Sequence, residues 1–218
     1  GYVSGVPNRK VSIYVIGAII SLMLDLTLRH ITGHQKSLDS LMVRLWEEFG
    51  KLKKGYTPED IIRIVSELSG EDMSNFFEKY VYGTEPVEEA LNHLLRTVGC
   101  QLKISDAESP GERRFGFRTI QKDGKLLVTT IEPNSPADRV LSREDEIIAI
   151  NSILTDGSPA ELLNFDSEVE MTVVRRHKVK SVRLQQDDAT YFKQYTIAQV
   201  ESASAQEQEN FTRWCGLS

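Results

Sequence analysis

The amino-acid sequence predicts an α+β protein: an all-helical N-terminal region, then a small β-barrel with two short helices, then a C-terminal strand and helix. Through residue 99 the apolar residues recur at helical spacing. From Cys100 the spacing approaches two, as in β-strands. We therefore expect a helical region at residues 1–99, a β domain at residues 100–187 and a tail at residues 188–218.

Each predicted helix in the N-terminal region has residues that start or end a helix. The first, Val11 to Ile31, is apolar on nearly all sides, which is typical of a helix buried in a larger body. Thr57 and Pro58 form a strong start signal, with Thr57 as N-cap and Pro58 in the first turn. Glycines follow the predicted helices as stop signals. The other helices begin at Ser37, Met73 and Pro86.

The β domain follows as short strands joined by polar turns. Asp123-Gly124 suits a tight turn that needs positive φ. The predicted strands are Gln101–Ile104, Phe115–Gln121, Leu126–Ile131, Ile147–Ile150, Val169–Arg175 and Val179–Leu184. Short helices are predicted after Ser135 and near Pro159 to Asn164, and the tail adds a strand at Tyr195–Ile197 and a helix at Gln206–Trp214.

Composition narrows the classes of protein. With 40% hydrophobic and 27% charged residues, a soluble globular chain is expected, cytoplasmic or periplasmic. The net charge of -6 argues against nucleic acid as a partner, which requires a basic face. The apolar stretch Val11 to Leu24 is shorter than the roughly 20 residues of a spanning helix, so we expect no membrane span. Because residue 1 is Gly rather than Met, we expect an excised or processed segment.

Two stretches together resemble a PDZ domain of the bacterial protease type. Arg114–Phe117 is an aromatic-glycine-aromatic loop that leads into a strand. Pro133–Asn151 combines a Ser-Pro-Ala step, an acidic turn and an apolar strand that ends at Asn151. Glu144 stands where bacterial PDZ domains usually have a glycine before Asp145, and the preceding segment is one residue shorter.

This resemblance implies that the chain binds the C-terminal ends of peptides or proteins. The ligand would join a sheet edge as an extra strand, with its carboxylate held by backbone N–H groups of the preceding loop. Gly116 lies where the backbone must approach that carboxylate closely. The expected peptide-binding residues are Arg114, Phe115, Gly116, Phe117, Leu162 and Leu163. The alternative is that Phe115 and Phe117 are ordinary core residues beside a glycine bulge.

The helical region has a resemblance of its own. Its segments Ser12–Ala18, Leu24–Arg29, Ser37–Asp39, Gly55–Thr57 and Phe76–Glu85 are similar to the part that follows the active site in glycyl aminopeptidase-like metallopeptidases. Those enzymes join a zinc catalytic domain to a C-terminal PDZ domain. The resemblance implies a parent enzyme with zinc, and an N-terminal catalytic domain missing from this chain as a partner.

We predict that this chain holds no metal and is inactive alone. A metallopeptidase of this kind needs His-Glu-x-x-His on a helix, two zinc ligands and a general base. His30 and His34 have the i,i+4 spacing, but Gly33 interrupts the helix and Ile31 stands in place of the glutamate. Neither cysteine, Cys100 nor Cys215, belongs to a metal-binding pattern.

Tyr14 is the one candidate catalytic residue. It matches the second tyrosine of a family motif that reads roughly Tyr-Tyr-x-Lys-Gly, and the resemblance implies stabilisation of an oxyanion near zinc. Ile13 and Ile16 replace the first tyrosine and the lysine. The alternative role is that of a buried helix residue. Asp25 and Arg29 are expected to form an i,i+4 ion pair rather than a catalytic dyad.

The sequence is compatible with three further interpretations. In the first, the chain belongs to a degenerate peptidase relative, as a non-catalytic protein-interaction module. Alternatively, the tail Ala189 to Ser218 fills the groove and the barrel is structural. The apolar Val11 helix would also drive self-association into a homodimer if no other domain covered it.

Overall fold

The computed structural model describes residues 13–155, 163 and 167–216. Within them the chain forms two compact units. The helical unit consists of residues 13–103 and 196–216. The sheet unit consists of residues 104–155, 163 and 167–195. The three-part division at residues 99/100 and 187/188 stays a prediction.

The helical unit confirms the helices predicted along the N-terminal region and in the tail. Its α-helices are α1 (Ile13–Ile31), α2 (Leu38–Leu45), α3 (Pro58–Ser69), α4 (Ser74–Phe76), α5 (Glu88–Arg96) and α6 (Ala205–Cys215). Wider π-type turns continue α2 at Trp46–Gly50 and α4 at Phe77–Tyr82.

The start of α3 has the structure that its sequence signal predicts. The Thr57 hydroxyl accepts the Asp60 N–H at 3.3 Å, and the Asp60 carboxylate accepts the Thr57 N–H at 3.0 Å. Such a reciprocal pair satisfies two N–H groups that a helix start leaves without partners. Gly70, at φ 77°, ends the helix in the left-handed conformation.

Helix α1 contributes to two apolar clusters. Leu24 and Leu28 pack against residues of α2 and α3, whereas Met23 and Leu26 pack against residues of α5. The second half of α1 is therefore buried on both sides, as its nearly uniform apolarity predicts. Its first turns differ, because Tyr14 is 83% exposed.

Asp25 connects α1 to the start of α2. Its carboxylate accepts the Arg29 Nε–H at 2.8 Å through one oxygen and the Leu38 backbone N–H at 2.8 Å through the other. The predicted ion pair is confirmed, and the second bond satisfies an N–H at the start of α2. Asp25 therefore has a structural role.

Helix α1 meets the length and composition of a membrane-crossing segment. The 18 residues Tyr14–Ile31 have a mean hydropathy of 1.5, and 22% of them are buried. A core helix of a soluble protein and a signal sequence satisfy the same criterion, so one such helix is weak evidence for a span.

The strands form two sheets. They are β1 (Cys100–Ser105), β2 (Phe117–Lys122), β3 (Lys125–Ile131), β4 (Glu146–Ile150), β5 (Ile153–Leu154), β6 (Glu168–Arg175), β7 (Lys178–Gln185) and β8 (Gln194–Gln199). The six-stranded sheet has the order β2-β3-β4-β6-β7, with β5 on β4, and its neighbouring strands are antiparallel. Strands β1 and β8 form a separate two-stranded sheet.

The α+β class is confirmed, but the closed β-barrel is wrong. Closure would require the two ends of the strand order to join. In the described part of the chain β2 and β7 are the two ends of the six-stranded sheet, which is open. Strand β1 does not close it, because it pairs with β8 and its first residue, Cys100, is buried among residues of α1 and α5.

One face of the six-stranded sheet carries the core of the sheet unit. Val169, Met171 and Val173, at alternate positions of β6, point into it, as the two-residue period predicts, and β7 adds Leu184. The buried members are Phe115, Phe117, Val128, Ile131, Ala137, Leu141, Ile147, Ile150, Leu163, Val169, Met171, Val173 and Leu184.

The turns and short helices agree with the sequence in most places. Asp123 and Gly124 have φ of 52° and 74°, which confirms the tight turn. Ala137–Arg139 is the short helix predicted after Ser135. The second short helix, near Pro159 to Asn164, lies outside the described residues apart from Leu163. The strand predicted from Phe115 begins only at Phe117, because Gly111–Phe115 is a helical turn.

Candidate functional site

The loop before β2 is the predicted ligand-binding element. Its helical turn, Gly111–Phe115, ends at Gly116, whose φ of 74° is left-handed. The Gly116 N–H donates to the Glu112 carbonyl at 3.2 Å, and the Arg113 N–H donates to the Ser109 carbonyl at 2.9 Å. These two amides are therefore engaged within the loop and are not free to hold a carboxylate.

Gly116 is needed for contact with the Ser-Pro-Ala element. A Cβ at this position would overlap the Ser135 side chain, with Oγ only 2.6 Å away. The Ser135 hydroxyl donates to the Gly116 carbonyl at 3.4 Å and accepts the Asp138 N–H at 3.2 Å. The two sequence elements that resemble a PDZ domain thus meet at Gly116 and Ser135.

The three described apolar residues of the predicted site lie in the core. Phe115, Phe117 and Leu163 are 0%, 3% and 2% exposed. In this conformation their side chains pack against the protein itself, as the alternative interpretation holds for the two aromatics. Leu162 lies outside the described residues. A peptide-binding role for these residues stays a prediction.

Arg114 spans the loop and the residue opposite. Its Nε–H donates to Gln186 Oε1 at 2.6 Å, and its Nη1–H donates to the Leu163 carbonyl at 2.9 Å. Its guanidinium carbon lies 5.5 Å from the centre of the Phe115 ring. Arg114 therefore places positive charge at the loop while it positions the backbone at Leu163.

A segment at the predicted boundary between the β domain and the tail crosses the same loop. We call Asp187–Lys193, between β7 and β8, the strap. The Tyr191 N–H donates to the Arg113 carbonyl at 3.0 Å, and Tyr191 Cγ would lie 3.3 Å from a Cβ at Gly116. The Arg118 guanidinium carbon lies 4.4 Å from the centre of the Phe192 ring. In the sequence, the feature that could have indicated this contact is the pair of adjacent aromatics, Tyr191 and Phe192, in an otherwise polar segment.

Tyr191 also has a shifted ionisation. Burial, followed by the hydrogen bond from its hydroxyl to Asp187 and the charge of that carboxylate, raises the pKa of Tyr191 to about 12. The hydroxyl donates to Asp187 Oδ2 at 2.8 Å, a bond that only the protonated tyrosine makes. The Tyr191 hydroxyl is therefore neutral in the folded protein at neutral pH.

The described residues of the helical unit do not fit a zinc ion. His30 lies in the last turn of α1, and His34 follows the helix with φ 65°. No group of three or more His, Cys, Asp or Glu able to hold a metal occurs in residues 13–155, 163 and 167–216. Tyr14, at the exposed start of α1, has no buried environment here, so the alternative of a buried helix residue does not describe it.

The helical unit also contains an open cleft of about 690 Å³. Apolar side chains of α1 and α5 line its floor, including Met23 and Leu94. Glu85, Glu89 and His93 lie at the same cleft, which makes its lining mixed.

The fold is similar to part of an aminopeptidase N family protein of known structure. The aminopeptidase N family protein from Idiomarina loihiensis matches 95% of this chain with a TM-score of 0.76 and 24% identity. The match covers 37% of that protein, so the chain spans well under half of its length. The resemblance to a peptidase region that the sequence indicates is thereby confirmed at the level of the fold.

A second match is to a PDZ domain, the class of domain predicted for the sheet unit. The PDZ domain of EpsC from Vibrio cholerae matches 32% of this chain and 74% of its own length, at 23% identity and a TM-score of 0.26. At that TM-score the likeness carries no argument. No protein-family model and no curated protein matches the sequence.

Proposed function

We propose that this chain is a segment of a PDZ-containing, aminopeptidase-like zinc metallopeptidase, in which the sheet unit binds the C-terminal ends of peptides or proteins. The observation that carries the proposal is the position of β2, which ends the strand order of the sheet and follows directly on the Gly116 loop. An end strand can accept a further strand through its backbone. The fold shared with an aminopeptidase N family protein supplies the peptidase context.

The charge at the loop supports recognition of a carboxylate. Arg113 and Arg114 belong to the helical turn, and Arg118 is the second residue of β2. An incoming carboxylate would use amides other than those of Arg113 and Gly116, or would displace the carbonyls that these amides bind. The guanidinium groups attract it in either case.

In the parent enzyme, zinc and its ligands would belong to a part beyond this chain, and the sheet unit would hold substrate or control its access. Tyr14 would face that part, since its side chain is 83% exposed at the start of α1. Catalysis by this chain alone is not proposed, because its described residues do not fit a metal. Peptidase activity of the pure chain with added zinc would contradict this.

The second candidate is a non-catalytic interaction module of a degenerate relative. It is favoured by Ile13 and Ile16, which stand where the family motif has a tyrosine and a lysine. The two candidates share the peptide-binding activity and differ in the parent. A His-Glu-x-x-His motif and zinc-dependent activity in the parent would favour the enzyme.

The binding activity can be tested by an NMR titration with an apolar-ended peptide, carrying either a free or an amidated C-terminus. We expect shifts at residues 115–119 with the free acid only. Ile120→Glu on β2 should weaken binding, because β2 is the strand that the peptide would join. Val179→Glu is the control and should not weaken it, because Val179 is likewise exposed but lies on β7, at the opposite end of the sheet. Silence from both peptides would contradict the proposal.

A further inference from the structure

The strap has the contacts of an internal occupant of the loop and of the first part of β2. Tyr191 and Phe192 are adjacent, and between them they contact Arg113, Gly116 and Arg118. These contacts cover the loop carbonyl, the glycine backbone and a side chain at the start of the end strand. A peptide docking at the same place would need the same surface.

The strap closes on itself and is tethered at one end. Asp187 accepts the Ala189 N–H at 3.1 Å and the Tyr191 hydroxyl at 2.8 Å. The Lys193 ammonium donates to Thr190 Oγ1 at 2.6 Å and to Asp106 at 2.6 Å. The segment is therefore a preformed loop with its own hydrogen bonds, and none of its residues belongs to a strand of the sheet.

Two features of the strap contribute little to holding it in place. Its ion pair, Lys193 with Asp106, has side chains 42% and 44% exposed, and exposed pairs add little stability. Phe192 has φ 50°, a left-handed conformation that is unfavourable for a residue with a β-carbon. Both aromatics are half-buried, and neither belongs to the core of the sheet unit.

We propose that the strap Asp187–Lys193 is a self-inhibitory element that competes with peptide for the Gly116 loop. This inference rests on the proposed peptide-binding function. A peptide binds the fraction of molecules in which the strap is displaced, so its apparent affinity falls by that fraction. The strap makes binding at this site conditional on its release by ligand or by another part of the protein.

The test compares the affinity of the free-acid peptide for the intact chain and for the double variant Tyr191→Ala/Phe192→Ala. We expect about tenfold tighter binding for the variant, as for an open fraction near one tenth in the original chain. The control is Tyr195→Ala, which removes an aromatic 54% exposed just beyond the strap and should leave the affinity unchanged.

Each outcome decides between the two proposals. Equal affinity of the double variant and the original chain would overturn the strap proposal and leave the peptide-binding function standing. Absence of binding in both would overturn the binding function and the strap proposal with it. If the double variant does not fold, Asp187→Asn weakens the strap's own hydrogen bonds without touching the loop, and unchanged affinity there would also overturn the strap proposal.

Discussion

Arg175 of β6 and Asp145 of the acidic turn form an ion pair with two hydrogen bonds. The Arg175 Nε–H and Nη2–H donate to the two oxygens of Asp145 at 2.8 and 2.6 Å. Asp145 is 1% exposed and also accepts the Ser142 N–H at 2.8 Å. The same Arg175 nitrogen Nη2 donates to the Val140 carbonyl at 2.8 Å, so the pair holds β6 to the chain before β4.

Substitution of Asp145 by Asn should therefore lower the free energy of unfolding strongly. It leaves Arg175 half-paired and partly buried, and removing one member of such a pair costs about 3 kcal/mol. The measurement is the free energy of unfolding in urea. Asp123→Asn, in the exposed β2–β3 turn, is the control and should change that free energy by less than about 0.5 kcal/mol. A similar small change for Asp145→Asn would contradict the role given to the pair.

Glu144 is strained where bacterial PDZ domains usually have glycine. Its φ of 69° is left-handed, which costs about 1–2 kcal/mol for a residue with a β-carbon. Glu144→Gly should raise the free energy of unfolding by about 0.5–1 kcal/mol, after allowance for the freer unfolded chain. Glu108 is exposed and does not have a positive φ, so Glu108→Gly should lower the free energy of unfolding instead. Destabilisation by both variants would refute the strain at Glu144.

Alanine substitutions at Gly116 and Gly124 distinguish steric crowding from backbone strain. Both have φ 74°, but a Cβ at Gly116 would overlap Ser135, whereas nothing lies within 4 Å of one at Gly124. Gly124→Ala should cost about 1 kcal/mol in unfolding free energy, from backbone strain alone. Gly116→Ala should cost about 3 kcal/mol, because crowding is added. Equal costs in thermal or urea unfolding would show that the Ser135 contact relaxes without penalty.

Tyr191 should titrate later than an ordinary tyrosine. Its pKa is raised from 10.0 to about 12 by burial and by the bond to Asp187. Because the fold favours the neutral hydroxyl, its contribution to stability is complete below pH 10 and is lost as the pH rises towards 12. The ultraviolet titration of the chain minus that of Tyr191→Phe isolates this group. A difference curve centred at the ordinary value would contradict the burial and the Asp187 bond.

Much of the local structure follows from the sequence. The N-cap Thr57, the Asp123-Gly124 turn and the Asp25–Arg29 pair occur as predicted, because each depends on residues close in the chain. The separation of a helical region from a β region follows equally from the change of apolar period. The helical turn at Gly111–Phe115 was missed, since its residues carry no helical apolar pattern.

The candidate site was predictable as a stretch of chain but not as a surface. The sequence indicated the Arg114–Phe117 loop, yet apolar residues in such a loop can face a ligand or the core, and Phe115 and Phe117 are buried. Burial depends on which distant residues arrive on each side. The contact of Gly116 with Ser135 and Tyr191 joins residues 19 and 75 positions apart, which no local pattern encodes.

The sequence by itself determined the α+β class, the order of the helices and strands, and the similarity to a peptidase region, since these depend on periodicity and on local motifs. Only the tertiary structure decided that the sheet is open, that β1 pairs with β8, and that the strap lies on the Gly116 loop. Pairing between strands and contacts of a tail are set by packing among segments far apart in the chain. Their free energies depend on burial and shape, which appear only when the chain is folded.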